Sequence, residues 1–141
     1  MTKIGLEIHI QLENCSSKLF CPCSTKKSSK PNTFVCPICL GMPGSKPAIN
    51  EKAIFSTLKA ALALNFTINS PTFFSRKTYF FPDLAKNYQI TQFETPIGID
   101  GSFLDIKLNR IHLEEDPASL VHNKTNVLVD YNRSGIPLLE V

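Results

Sequence analysis

The chain has 141 residues, 43% of them hydrophobic, with fifteen Lys and Arg against twelve Asp and Glu for a net charge of +3. That length suits one domain with a real core, and the mild positive charge tolerates a nucleic-acid partner without demanding one. No apolar run reaches the ~20 residues of a membrane-spanning helix, which argues against a helical membrane protein and against a membrane partner.

Met1-Thr2-Lys3 leads directly into a strand pattern with no apolar signal-peptide core, so a cytoplasmic location is expected. The opening run, Lys3 to Leu12, alternates without a slip. Ile4, Leu6, Ile8, Ile10 and Leu12 point one way, and Glu7, His9 and Gln11 the other. A carboxylate, an imidazole and an amide in one outward row can grip a metal ion or a substrate. A solvated sheet face is the plainer reading of this segment alone.

Five Cys are present, four of them within nineteen residues. Cys21-x-Cys23 and Cys36-x-x-Cys39 flank twelve residues that include the basic loop Lys26, Lys27 and Lys30. Two close pairs across a loop can close a tetrahedral thiolate cage, and in a cytosolic chain this points to structural zinc rather than to disulfides. The loop at about 19–42 is therefore expected to be metal-stapled, with Gly41 turning backbone N–H groups toward the sulfurs. Cys15 is left over as a buried or incidental thiol.

Asn50 is placed to cap a helix from about Glu51 to Leu64, with Asn65 just beyond its end. Its expected buried stripe is Ile54, Leu58, Ala61 and Leu62, with Phe55 beside it. After Phe66 the pattern is one of short strands and turns. Phe73-Phe74 and Tyr79-Phe80-Phe81 read as β-type aromatic clusters, and Arg76, Lys77 and the 82–89 loop lie between and after them. Arg and Lys there suit a transferring phosphoryl group. Pro96 to Gly101 reads as a turn.

A period of two follows, with Leu104, Ile106 and Leu108 on one side. The phase slips at Asn109-Arg110, as a β-bulge would make it, after which Arg110, His112 and Glu114 share a face. Glu114-Glu115-Asp116 at a strand end repel one another unless a cation sits among them. An isolated acidic turn would be solvated, but this one follows Arg110-x-His112 on a patterned strand. Ser119–His122 and Val127–Tyr131 read as a hairpin, with Asp130, Asn132 and Arg133 near the turn at its end. The run from Ile136 to Val141 is strand-like, and a chain stopping in it is expected to be the front part of something longer.

In order along the chain stand Gly5-Leu6-Glu7-Ile8-His9, the knuckles ending Cys36-Pro37-Ile38-Cys39-Leu40-Gly41-Met42-Pro43-Gly44, Arg76-Lys77-Thr78-Tyr79-Phe80-Phe81-Pro82-Asp83-Leu84 with Lys86-Asn87-Tyr88-Gln89-Ile90, Arg110 to Asp116, and Val129 to Pro137. Together, across nearly the whole chain, these resemble the B-subunit family of tRNA-dependent amidotransferases, whose relatives include the archaeal E subunit. The resemblance implies an α+β fold, mostly antiparallel, with one main helix and a zinc-ribbon-like loop. It implies that residues 1–141 are the N-terminal part of a cradle domain related to glutamine synthetase, whose remainder and helical tRNA-binding segments lie elsewhere.

The implied activity is that of an ATP-dependent C–N ligase. ATP and Mg²⁺ would phosphorylate the side-chain carboxylate of Glu-tRNA(Gln) or Asp-tRNA(Asn). Ammonia from a glutamine-hydrolysing amidase (A) subunit, held with the help of a small C subunit, would displace the phosphate. Within that reading Glu7, His9, Glu114 and Glu115 are the magnesium-ligand candidates. Mg²⁺ prefers oxygen, so His9 could instead hold a water or act on the ammonia. Arg76, Lys77 and Lys86 would meet the phosphoryl group. Tyr79, Asp83, Gln89, His112, Asp130, Asn132 and Arg133 are further candidates for contacts to substrate or ATP. Two departures stand out: Ala118 where many members carry Gly, and short links at 99–105 and 122–127. The alternatives are an inactive fragment and a non-enzymatic zinc-ribbon module that binds RNA through Lys26, Lys27 and Lys30.

Overall fold

The structure, a computed structural model, describes Thr2 and residues 4–141. Its strands are β1 (His9–Gln11), β2 (Thr67–Ile68), β3 (Ser75–Thr78), β4 (Tyr88–Thr91), β5 (Gly98–Phe103), β6 (Ile106–Glu115), β7 (Ser119–His122), β8 (Val127–Asp130) and β9 (Pro137–Glu140), and its helix is α1 (Glu51–Ala63). The class is α+β, as expected. A five-stranded sheet has the order β1-β9-β6-β5-β2, with antiparallel neighbours, and the pairs β3-β4 and β7-β8 form two hairpins. Pro137 opens β9, the one position in an interior strand where a missing N–H is tolerated.

The helix begins where the sequence says. The Asn50 side chain accepts from the N–H groups of Lys52 and Ala53, and Asn65 takes the left-handed conformation that ends the helix, with φ 55°. Its buried face differs from the expected stripe. Ala53, Thr57 and Ala61 face the sheet, Ile54 and Leu58 flank them, and Leu62 and Phe55 are exposed. Small residues at i, i+4 and i+8 let the helix approach the sheet closely, which turns the stripe by about one residue. Ala53 and Ala61 pack in one core with Ile111, Leu113, Leu139 and Phe66.

Other expectations are corrected. The opening run pairs only from Ile8, which exchanges backbone hydrogen bonds with Val141, to Leu12, and Ile4 and Leu6 are 95% and 84% exposed. Alternation fixes direction, but burial needs a covering layer, and none of the described residues supplies one there. Arg76 and Lys77 lie within β3, while Phe73-Phe74 and Tyr79 to Phe81 flank it. Residues 98–103 form a strand rather than a turn. A Cβ at Gly98 or Gly101 would fall 2.8 or 2.7 Å from Phe66, so these glycines make room for a ring. No bulge interrupts β6. Its register with β5 is constant from Gly98↔Ile111 to Phe103↔Ile106, and the irregularity sits in β5, where Asp100 has φ 53°. Gly41 does not serve the sulfurs. Its φ is +66°, its N–H bonds Ile38 O, and Lys86 lies where its Cβ would be.

Candidate functional site

β9 lies between β1 and β6, so the opening strand and the 110–116 strand are separated by one strand rather than paired. The register puts His9 and His112 on either side of Glu140. Leu113 and Leu139 turn into the core, and alternation turns His9, Glu140, His112 and Glu114 to the other face. His9 Nε2 is 3.2 Å from both Glu114 Oε1 and Glu140 Oε2, and His112 Nε2 is 3.3 Å from Glu140 Oε2. One ligand atom each from His9, Glu114 and Glu140 fall within 4.8 Å of one another, a set that could hold a cation.

Burial raises the Glu114 carboxyl above the usual range. Glu140 is pushed up to about 7, by burial first and then by its hydrogen bond with Glu7. The same hydrogen bond holds Glu7 below the carboxylate range. Of this pair, Glu140 is the carboxyl held high and Glu7 the one held low. His112 is 1% exposed, and burial lowers it to about 4, leaving a neutral ring. Glu140 is the residue that sequence reasoning missed. Its one signal is that it is the sole charge in the apolar run Ile136–Val141.

Two cavities meet at Glu114. One, of about 400 Å³, is lined by Glu7, Arg76, Lys77, His112, Glu114 and Glu140. The other, of about 480 Å³, is lined by His9, Gln11, Gln89, Glu114, Asp116 and Arg133. Arg76 stacks over the Tyr88 ring at 4.6 Å. Arg133 pairs with the buried Asp116, whose carboxyl burial raises and Arg133 draws back down.

The remaining sequence candidates fall elsewhere. Glu115 faces the opposite way from Glu114. Its oxygens take Lys86 Nζ at 2.5 and 2.6 Å and the N–H of Ile90 at 3.1 Å, so neither Glu115 nor Lys86 joins the cluster. Gln89 also donates to Glu115 O. Tyr79 is partly buried, with its hydroxyl pKa raised by burial and by Asp83, and Asp83 O accepts from the N–H of Ala118. Ala118 is not among the left-handed residues, so alanine fits there without strain. Asp130 and Asn132 bond to the cysteine loop.

In that loop the sulfurs of Cys21, Cys23, Cys36 and Cys39 lie within 4.8 Å of one another and could hold a metal such as zinc. The Cys36 N–H points at Cys39 Sγ, 3.2 Å away, and Lys18 Nζ approaches the same sulfur at 3.7 Å. Hydrogen bonding from Cys21 lowers the Cys39 thiol to about 4, while burial raises Cys23 to about 11. Cys15 lies apart in the core. No helix among the described residues is long and apolar enough to cross a membrane.

A profile described as the GatB/GatE catalytic domain matches residues 2–141. The chain is 51% identical over 154 aligned positions to the B subunit of the aspartyl/glutamyl-tRNA(Asn/Gln) amidotransferase of Methanospirillum hungatei, covering 99% of this chain and 32% of that protein. It is 52% identical to that of Methanoregula boonei, with 98% and 32% covered, and 48% identical to that of Clostridium tetani, with 98% and 31% covered. The 154 aligned positions exceed the chain's 141 residues, so gaps fall in this chain. It spans about a third of the length of the curated relatives it matches. With nearly every residue matched and half of them identical, the chain belongs to the GatB/GatE catalytic-domain family.

Proposed function

We propose that the chain is the first part of the catalytic domain in the B subunit of a tRNA-dependent amidotransferase. The reading rests most on one observation, the meeting of His9, Glu114 and Glu140 on one sheet face beside Arg76 and Lys77. A side-chain carboxylate is a poor acyl donor. Transfer of the ATP γ-phosphoryl group to it supplies a leaving group, and ammonia then displaces phosphate. Ammonia comes from glutamine hydrolysed on an amidase subunit, and a small C subunit holds the pair together. The acceptor is Glu-tRNA(Gln), Asp-tRNA(Asn) or both, and tRNA identity is read by segments outside these 141 residues. The site of action is the cytoplasm.

Two buried carboxyls packed against an imidazole form a donor set that a divalent cation relieves. Glu114, Glu140 and His9 would hold magnesium, with water completing its shell and nitrogen the weakest donor. Bound there, the ion would neutralise phosphate charge. Arg76 and Lys77 are the cations of their lobe and suit a polyphosphate. The other lobe offers Arg133, already half-neutralised by Asp116, and the amide of Gln89, which suits a single carboxylate. His9 lines the second lobe beside Glu114, where it would hold a water or orient ammonia. The four-cysteine site would hold zinc as a closed structural staple without catalytic chemistry.

In the full-length protein with its partner subunits, Glu114→Gln should abolish ATP-dependent amidation of Glu-tRNA while glutamine hydrolysis remains measurable. Undiminished amidation would sink the assignment. The RNA-binding alternative accounts for the basic loop alone and leaves this cluster without a role.

A further inference from the structure

The cysteine loop and the groove are joined by a hydrogen-bonded clamp. Asn32, held at φ 55°, donates from its backbone to Asp130 Oδ1 (2.9 Å) and from its amide to Val129 O (3.0 Å), and accepts from the Tyr131 N–H (2.8 Å). Asn132 answers in the other direction. Its Oδ1 accepts from the Phe34 N–H (2.7 Å) and its Nδ2 donates to Lys30 O (2.9 Å). Beneath them lies Lys18, fully buried. Its ammonium donates to Phe34 O (2.8 Å) and Tyr131 O (3.0 Å) and reaches Cys39 Sγ (3.7 Å).

A fully buried ammonium with two carbonyl partners needs a negative charge nearby, and four thiolates around a divalent ion carry a net charge of that sign. The turn so held is 129–133. Its last residue, Arg133, holds Asp116 and walls the second lobe. Beyond it, Gly135 donates to Asp116 O, and Asp116 donates to Ile136 O. The geometry therefore continues from the sulfurs to the guanidinium.

We infer that Lys18, Asn32 and Asn132 are positioning residues: they carry the metal-bound state of the cysteine loop to Arg133, so that metal loading sets the affinity of the groove for a substrate carboxylate. The ligand in this statement rests on the function proposed above. The clamp itself does not.

The test uses the full chain, with hydrogen exchange and metal content as readouts beside binding. In wild-type protein, chelation should raise exchange at 131–135 together with the 19–42 loop, while the amides of 111–114 stay protected. Loss of protection in all three regions would make the metal a global staple and overturn the inference, as would protection that persists at 131–135. Asn32→Gly keeps the left-handed backbone and removes only the side chain. It should retain its zinc, yet raise exchange at 131–135 and weaken binding of glutamic acid α-methyl ester, a probe with one free side-chain carboxylate, by roughly tenfold. Retained zinc with unchanged exchange would refute the clamp. Lys18→Met should weaken zinc retention by roughly 10-fold or more; unchanged retention would remove Lys18 from the inference, and if this variant fails to fold the Asn32→Gly result decides. Wild-type protein that does not bind the probe would count against the carboxylate role of Arg133, while the exchange results would still judge the clamp.

Discussion

Glu114 and Glu115 are neighbours in sequence and opposites in chemistry. Glu114 stands on the groove face beside His9, and Glu115 is locked beneath β6 by Lys86 and the Ile90 N–H. Breaking a buried ion pair leaves one uncompensated charge and costs about 3–5 kcal/mol. Lys86→Met should therefore lower unfolding stability by that order in urea titrations, and Glu115→Gln in the same background should recover much of it. A Lys86 that instead contacts the phosphoryl group would show a loss of activity with little loss of stability. Glu114→Gln should leave stability within about 1 kcal/mol of wild type, because burial already opposes its charge. This division was legible: strict alternation from Leu113 assigns Glu115 to the core side, whatever the run of three acids suggests. Glu140 was harder to find, because its meaning comes only from the strands paired on either side of it.

At the level of elements, what was readable depended on the range of the interaction. The helix start follows from one side chain and two N–H groups within three residues, so Asn50 marked it correctly. Asn50→Ala should cost about 1 kcal/mol from the lost cap, and more if its bonds to Ser17 matter, as thermal melts would report. The sheet order was not readable. β9 enters between β1 and β6 from the far end of the chain, and such pairing leaves no local trace. The glycines of β5 misled for a related reason. Gly98 and Gly101 carry the composition of a turn, yet the constraint on them is the ring of Phe66, about thirty residues earlier by count of the sequence. Gly101→Ala should cost about 1–3 kcal/mol by overpacking. Combined with Phe66→Leu its cost should shrink, since the two substitutions share one space. Additive losses would mean that the glycine answers to the backbone rather than to the ring.

For the whole molecule, the arrangement is two lobes with Glu114 as their common wall, Arg76 and Lys77 of β3 lining one and Arg133, at the end of the turn bonded to the cysteine loop, lining the other. A phosphoryl transfer needs donor and acceptor on opposite sides of one charged centre, and this groove offers unequal sides for them. Arg76 and Lys77 stand side by side in the first lobe, where hydrogen bonds hold the carboxyls of Glu7 and Glu94 below the usual range. In the second, the charge of Arg133 is partly spoken for by Asp116. On the function proposed above, the paired cations of the first lobe suit the triphosphate and the single guanidinium of the second suits the aminoacyl carboxylate. Substitutions in the two lobes should then separate kinetically in the full-length enzyme with its partner subunits. Lys77→Met should raise KM for ATP by about tenfold or more, the order expected for a lost charge-assisted contact, with a smaller effect on KM for aminoacyl-tRNA. Arg133→Lys should do the reverse, because a point charge cannot keep both Asp116 and a planar carboxylate in register. If both substitutions raise the same KM, the lobes do not divide the substrates and the groove must be read as a single site.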